Sequence, residues 1–121
     1  MRGKGDFIRL ERMRDQCGIL IGDLDGESVE TFADNRLLYD ATVMRLFTIG
    51  EDVAHLSEAT LELAPAVEWH KIRGLRNVIA HGYAELDPAR VWDIAVGFVP
   101  SFRKEVERLL SLVPRPPLGD R

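Results

Sequence analysis

The sequence predicts an all-α fold, an up-and-down bundle of four main helices with a kink in the last one. Apolar residues recur at spacings of three and four over long stretches, as they do on the buried face of an amphipathic helix. Turn-forming residues separate these stretches, notably Asp25-Gly26, Pro65 and Asp87-Pro88. No stretch alternates apolar and polar residues as a half-buried strand does, so no β-sheet is expected.

The first predicted helix extends from Asp6 to about Leu24. Its apolar residues form one stripe, made of Phe7, Leu10, Met13, Cys17, Leu20, Ile21 and Leu24. Ser28 is placed to cap a short helical turn that continues through Phe32. The N-terminal part of the chain is therefore expected to be one long helix followed by a short one.

The second predicted helix extends from about Asn35 to Glu62. Its apolar residues occupy more than one face: Leu37, Leu38, Ala41, Met44, Leu46, Phe47, Ile49 and Val53. A helix that is apolar over so wide an arc must be covered on two sides, which predicts a second subunit and hence a homodimer. Gly50 in mid-helix costs about 1 kcal/mol relative to alanine, and it either permits a close helix crossing or has no role.

The third predicted helix begins near Val67, after the interruption at Pro65, and carries the segment WHKIRGLRNVIAH. Gly82 is well placed to end it, because glycine is the residue most often found just beyond a helix. Trp69 and Trp92, the two tryptophans, are expected in the core.

The fourth predicted helix begins at Asp87-Pro88, since aspartate caps helices and proline favours their first position. Pro100 lies within its apolar pattern and predicts the kink. The prediction is therefore one helical domain over residues 1–113. The proline-rich segment 114–121 is expected to be a flexible tail.

Composition narrows the possible functions of the 121-residue chain. No apolar run approaches the roughly 20 residues needed to span a bilayer. Charged residues interrupt the N-terminal segment, whereas a signal peptide has an uninterrupted apolar stretch there, so no signal peptide is expected. Cys17 is the only cysteine, which suits a cytoplasmic protein. A net charge of −4 argues against nonspecific coating of nucleic acids. An enzyme acting on RNA would have to gather its cations in one cleft.

The segment RNVIAHGY in the third helix places Arg76, Asn77, His81 and Tyr83 close together. Arginine binds phosphate oxygens, histidine can move protons near neutral pH, and tyrosine can stack on a base. Arg76 and His81 are about 140° apart around the helix, so they can share a ligand only across its end. These side chains suit cleavage of RNA, but the spacing alone equally allows His81 to be a helix cap or a solvated residue.

The run from about Phe7 to Leu110 resembles the HepT-like family of the HEPN superfamily, which are small helical ribonuclease toxins. The HEPN motif is an arginine, a polar residue and a histidine that follows the arginine after four to six intervening positions. Arg76, Asn77 and His81 fit it, and Tyr83 matches the tyrosine found two positions later in HepT-like proteins. The segments IGEDVAHLS and DPARVWDIAVGFVP resemble the family in the same order. One departure is that Asp52 and Val53 follow the Gly-Glu pair, where small residues are more usual.

The resemblance implies a toxin of a type VII-like toxin–antitoxin system, with RNA as its substrate and no cofactor. It implies a homodimer whose two motifs share one cleft, with Arg76 and His81 as catalytic residues and Asn77 and Tyr83 supporting them. It also implies metal-independent cleavage and a minimal nucleotidyltransferase antitoxin as partner, which inactivates the toxin by adenylylating Tyr83. The alternative is a catalytically silent HEPN-type module that binds a nucleotide or a partner protein.

Two further candidates lie on the second helix, at positions that can face the cleft in this family. Arg45 could add a phosphate contact, and Asp40 could orient Arg45 or Arg76. Ordinary solvated or locally paired charges are the alternative.

Glu51, Asp52 and His55 briefly suggest a metal site, because carboxylates and imidazoles are common metal ligands. Adjacent helical positions rarely converge on one ion, and no HExxH-type pattern is present. We therefore expect no metal site here.

Overall fold

The computed structural model describes residues 4–117. Within that range the chain forms α1 Lys4–Leu24, α2 Val29–Asp34, α3 Arg36–Ala54, α4 Glu58–Glu62, α5 Trp69–Gly82, α6 Pro88–Asp93 and α7 Val99–Leu110. A 3-10 turn at Tyr83–Glu85 follows α5, and a π-helical turn at Ile94–Phe98 joins α6 to α7. No strand occurs among the described residues, and the predicted all-α bundle is confirmed.

The core lies where α1 packs between α3 and α7, while α5 packs on the other side of α3. The predicted stripe of α1 supplies one wall, and its members Leu10, Met13, Cys17 and Leu20 have no exposed surface. Phe32 of α2 is also fully buried. Burial of these side chains contributes roughly 1.5 to 3 kcal/mol each and holds α3 in place as the support for α5.

The predicted second helix is wrong in length, because α3 ends at Ala54 and a separate helix begins after Ser57. Ser57 is the N-cap of α4, and its side chain accepts a hydrogen bond from the Thr60 N–H. The carboxylate of Asp6, on α1, accepts bonds from the Ser57 N–H at 3.2 Å and the Ser57 hydroxyl at 2.6 Å. A buried acceptor on another helix therefore satisfies the donors that the break releases.

The predicted fourth helix is a continuous helical segment with an irregular turn in its middle. The Val99 N–H donates to the carbonyl of Ile94, five residues earlier. Pro100 follows directly and has no N–H to donate, so the regular α-helical ladder cannot pass through it. Where a kink was predicted at Pro100, the structure has a π-helical turn at Ile94–Phe98, just before the proline.

Gly50 marks a close crossing of α3 and α5, which was one of its two predicted roles. A Cβ atom added there would lie 2.7 Å from the Cβ of Arg76 and 3.3 Å from the carbonyl oxygen of Ile72. No real Cβ approaches another carbon so closely. The absence of a side chain at Gly50 therefore lets α5 approach α3 at the position of Arg76.

The chain after α7 is irregular as far as it is described. Pro116 is buried and the guanidinium of Arg115 lies 5.6 Å from the centre of the Phe7 ring, so this part packs on the domain. The rest of the predicted tail, residues 118–121, lies outside the described residues, as do residues 1–3 of the predicted domain.

No helix in the described range is both long and apolar enough to cross a membrane.

Candidate functional site

Helix α5 presents one face to the core and the opposite face to solvent. Ile72 and Ile79 are buried against the bundle, whereas Asn77 and His81, four residues apart, are exposed. Arg76 lies about 40° to 60° around the helix from these isoleucines, between the two faces. Its side chain is 34% exposed, so it is held by the protein and still reachable from solvent.

The guanidinium of Arg76 is fixed by two acceptors. Its Nε donates a hydrogen bond to Oε1 of Glu51 on α3, and its Nη1 donates to Oδ1 of Asn77 at 3.1 Å. A guanidinium has five N–H donors, so further donors are left for an anion. The polar residue that follows the arginine in the sequence therefore orients the arginine side chain.

His81 lies in the last turn of α5, and Gly82 is the last residue of that helix, with a φ of −139°, instead of the glycine just beyond the helix that was predicted. No side-chain hydrogen bond of His81 is found among the described residues, so the cap role considered for it is not seen there. An exposed imidazole at this end of the helix can exchange protons with a bound ligand.

Tyr83 begins the 3-10 turn after α5, and its hydroxyl donates a hydrogen bond to Oδ1 of Asp40 on α3. Oδ2 of the same carboxylate accepts from Nε of Arg36 at 3.1 Å. The bond from Tyr83, together with Arg36, lowers the pKa of Asp40 below its ordinary value. The same bond raises the pKa of Tyr83, because the carboxylate favours the protonated phenol.

A surface pocket of about 320 Å³ lies beside this pair, between α2, α3 and the segment after α5. Its lining consists of Ala33, Arg36, Tyr39, Tyr83, Ala84, Leu86 and Pro88. One cation and two phenol rings thus border a depression of mixed polarity next to Tyr83.

The predicted partners of Asp40 are wrong. Asp40 binds Tyr83 and Arg36 and is not paired with Arg45 or Arg76. Arg45 faces α1 instead, where its Nη1 donates to Gln16 at 3.0 Å and its Nε lies 3.5 Å from a carboxylate oxygen of Asp23. The five-residue spacing places Arg45 about 140° around α3 from Asp40, and so toward a different neighbour.

Glu51 belongs to the candidate site as the partner of Arg76, a role that the sequence did not predict. The sequence suggested Glu51 only as a possible metal ligand. Glu51 binds Arg76 on α5, whereas the next residue, Asp52, is paired with Arg12 and Arg9 on α1. The two carboxylates therefore point to different helices. Within residues 4–117 no group of three metal-binding side chains is assembled.

Two large apolar side chains of α3 are exposed close to this site. Leu37 is 83% and Met44 is 61% exposed. Leu37, Met44 and Glu51 are spaced by seven residues, so they share one stripe of α3, and Glu51 connects that stripe to Arg76. Leu37 and Met44 are therefore on the same side of α3 as the residue that is paired with Arg76.

Comparison with known proteins gives consistent results. Residues 10–109 match the family described as Ribonuclease HepT-like. A candidate RNase of Caldanaerobacter subterraneus is 31% identical over 102 residues, which is 84% of this chain and 91% of that protein. A candidate RNase of Methanocaldococcus jannaschii is 34% identical over 76 residues, 63% of this chain and 70% of the relative. Another from the same organism is 29% identical over 102 residues, 84% of this chain and 81% of the relative.

No solved structure matches the chain. The family match covers most of the chain, including the bundle core, Glu51 and the whole motif from Arg76 to Tyr83. The chain therefore belongs to the HepT-like ribonuclease family.

Proposed function

We propose that the protein is a metal-independent RNA endonuclease that acts as the toxin of a toxin–antitoxin system. The observation that carries this proposal is that Glu51 on α3 and Asn77 on α5 fix the guanidinium of Arg76, while His81 is exposed in the last turn of the same helix α5. Fixed donors stabilise developing charge better than mobile ones because they need no reorganisation during the reaction.

In the proposed reaction the 2′-hydroxyl of RNA attacks the adjacent phosphorus, and the bond to the leaving 5′-oxygen breaks. The proton of the 2′-hydroxyl passes to a neutral His81, and a protonated His81 supplies the proton that the 5′-oxygen requires. Arg76 donates hydrogen bonds to the phosphorus oxygens, where negative charge increases. One histidine per motif favours a division of the two proton transfers between two copies of the chain.

We further propose that two copies associate through the stripe that contains Leu37 and Met44. Covering these side chains removes apolar surface from water, and each can contribute about 1.5 to 3 kcal/mol when fully buried. We propose that the two-fold axis lies at the Met44 end of this stripe, so that the two Glu51–Arg76 pairs border one shared cleft. Light scattering should then give about twice the chain mass of 13.7 kDa, and a monomer at all concentrations would contradict the dimer.

The proposal includes inactivation by a minimal nucleotidyltransferase that transfers AMP from ATP to the hydroxyl oxygen of Tyr83, with release of pyrophosphate and of the hydroxyl proton. Tyr83 is 37% exposed, so it lies within reach of another protein. The attached phosphodiester would add a negative charge near the motif, and the adenosine would occupy space that RNA needs. Coexpression with the neighbouring nucleotidyltransferase should add an adenylyl mass to the peptide that contains Tyr83, and Tyr83→Phe should lack it. Full inhibition of the Phe variant would point to simple occlusion.

Cleavage of total RNA by purified protein tests the enzymatic proposal. His81→Ala should slow cleavage by about 10²- to 10⁴-fold through loss of proton transfer. Arg76→Ala should cost roughly 3 to 4 kcal/mol of transition-state stabilisation. His70→Ala, an exposed histidine at the other end of α5, is the matched control and should cleave normally. If the wild type leaves RNA intact, the silent binding module becomes the better description. An unchanged rate in folded His81→Ala would exclude the role of His81.

A further inference from the structure

Helix α5 is locally basic although the chain is acidic. The net charge of the chain is −4, yet the segment WHKIRGLRNVIAHG contains Lys71, Arg73 and Arg76 and no aspartate or glutamate. The cations that a polyanion requires are therefore gathered on the helix that carries the motif.

Arg73 is the cation of this helix that has no acidic partner among the described residues. Lys71 is paired with Glu68 at 2.7 Å, and Arg76 is paired with Glu51. The Nε of Arg73 is inaccessible to water and has no hydrogen-bond partner. A ligand cannot reach that buried Nε, but the terminal nitrogens of the guanidinium, for which no acidic partner within residues 4–117 competes, can donate to an anion.

The position of Arg73 places it on the same side of α5 as the motif. It precedes Arg76 by one turn, about 4.5 Å along the axis and 60° around it, and it is about 40° around the axis from Asn77. The buried isoleucines that fix the helix against α3, Ile72 and Ile79, lie about 100° to 120° away from it. A strand that contacts Arg76 and continues along α5 toward its N-terminus therefore passes Arg73.

We propose that Arg73 forms a second phosphate-binding subsite, which holds a phosphodiester group next to the one contacted by Arg76. This inference rests on the proposed action on RNA and adds a substrate-positioning residue to it. Guanidinium is suited to the role because its planar fork donates two parallel hydrogen bonds to phosphate oxygens. Arg73 does not touch the reacting atoms, so it should affect binding and leave the chemical step unaltered.

The experiment measures the affinity of the full chain for a single-stranded RNA oligonucleotide with 2′-O-methyl groups, which cannot be cleaved. Dissociation constants are determined over a series of salt concentrations for the wild type, Arg73→Ala, Arg73→Lys and Lys104→Ala. Lys104 is an exposed lysine on α7 and serves as the control for loss of one positive charge. Cleavage of unmodified RNA is measured on the same samples, and their circular dichroism confirms folding.

Each phosphate contact on a single strand contributes about 0.7 to the slope of log affinity against log salt. We expect Arg73→Ala to reduce that slope by about 0.7, to raise KM about three- to tenfold and to leave kcat unchanged. Arg73→Lys should restore the slope, since it keeps the charge, and Lys104→Ala should match the wild type.

An Arg73→Ala protein that cleaves RNA and has the wild-type slope would overturn the subsite while leaving the proposed function intact. An equal slope loss in Lys104→Ala would also overturn it, because the effect would then be one of net charge. If Arg73→Ala lowers the salt slope of RNA binding but the wild type cleaves no RNA, the nuclease proposal is refuted and the subsite is retained.

Discussion

The hydroxyl of Tyr83 and the carboxylate of Asp40 are joined by a hydrogen bond across 43 residues of sequence. The bond ties the turn after α5 to the first half of α3, and Arg36 holds the second carboxylate oxygen. The C-terminal end of α5 is therefore positioned by residues of α3. Any partner that modifies Tyr83 meets a hydroxyl whose proton is already directed to this carboxylate.

The first prediction concerns the ionisation of Tyr83. Its pKa is raised by the bond to Asp40, and the pKa of Tyr39 is raised by burial, so Tyr39→Phe is used as the background. Asp40→Asn in that background should move the phenolate transition to lower pH, because a neutral amide no longer disfavours the phenolate. Absorbance of the phenolate during a pH titration measures it, and an unmoved midpoint would mean that the bond does not persist in solution.

The same pair predicts how stability depends on pH. The pKa of Asp40 is lower in the folded state than in the unfolded state. The stabilisation from its ionised carboxylate is therefore fully present above the unfolded-state pKa and is lost as pH falls through the folded-state pKa. The pKa of Tyr83 is higher in the folded state than in the unfolded state. The stabilisation from its protonated hydroxyl is therefore fully present below the unfolded-state pKa and is lost as pH rises through the folded-state pKa. Urea unfolding of Asp40→Asn should therefore depend less on pH at the acid end than the wild type does.

The second prediction is that Glu51 positions Arg76. Glu51→Gln should lower kcat by roughly ten- to a hundredfold, since a charge-assisted hydrogen bond contributes about 1.5 to 3 kcal/mol. It should also lower KM, because removing an acidic charge favours binding of a polyanion. Glu62→Gln, an exposed glutamate on α4, should change neither constant. If Glu51→Gln raises KM and leaves kcat unchanged, a positioning role for Glu51 is contradicted.

The third prediction concerns the helix crossing at Gly50. Gly50→Ala should destabilise the fold by about 1 to 3 kcal/mol, because its methyl group would meet Arg76 and the backbone at Ile72. Gly22→Ala, on α1, has nothing within 4 Å of the new methyl group and should be neutral or stabilise by up to about 1 kcal/mol. Urea unfolding compares the two variants, and equal effects would show that α3 and α5 can separate without cost.

The fourth prediction is that Cys17 is unreactive in the native protein. Burial raises the pKa of its thiol to about 12, an effect that the nearby charge of Arg103 opposes. Alkylation by iodoacetamide at pH 8 should be roughly a thousandfold slower than in urea, since the thiolate is the reactive form. Rapid native labelling would indicate frequent opening of the core around α1.

The sequence was sufficient for those parts of the fold that depend on local pattern. The stripe of α1 and the helix stop at Gly82 follow from spacing and from single-residue preferences. The break before α4 did not, because the acceptor that satisfies Ser57 comes from Asp6, far away in sequence. Helical periodicity shows which residues share a face, but it does not reveal which distant side chain will meet that face.

The site divides in the same way. Arg76, Asn77 and His81 are candidates that one short segment of the sequence suggests, whereas the pairing of Arg76 with Glu51 depends on the crossing of α3 and α5 at Gly50. The sequence also could not show that Arg45 is held by α1, since its partners there belong to another stretch of the chain. Contacts between helices are decided by packing, and packing depends on all the helices together.

The uneven distribution of charge affects how a polyanion first meets this molecule. Because α5 is basic, the remainder of the chain is more negative than the total of −4 indicates. At low ionic strength the far faces repel an approaching nucleic acid, so encounters are oriented toward α5 before contact occurs. At about 0.1 M salt the Debye length is about 10 Å, shorter than the roughly 20 Å length of α5. Under those conditions the repulsion between the acidic faces and a distant nucleic acid is screened, whereas the cations of α5 still attract phosphate groups in direct contact with them.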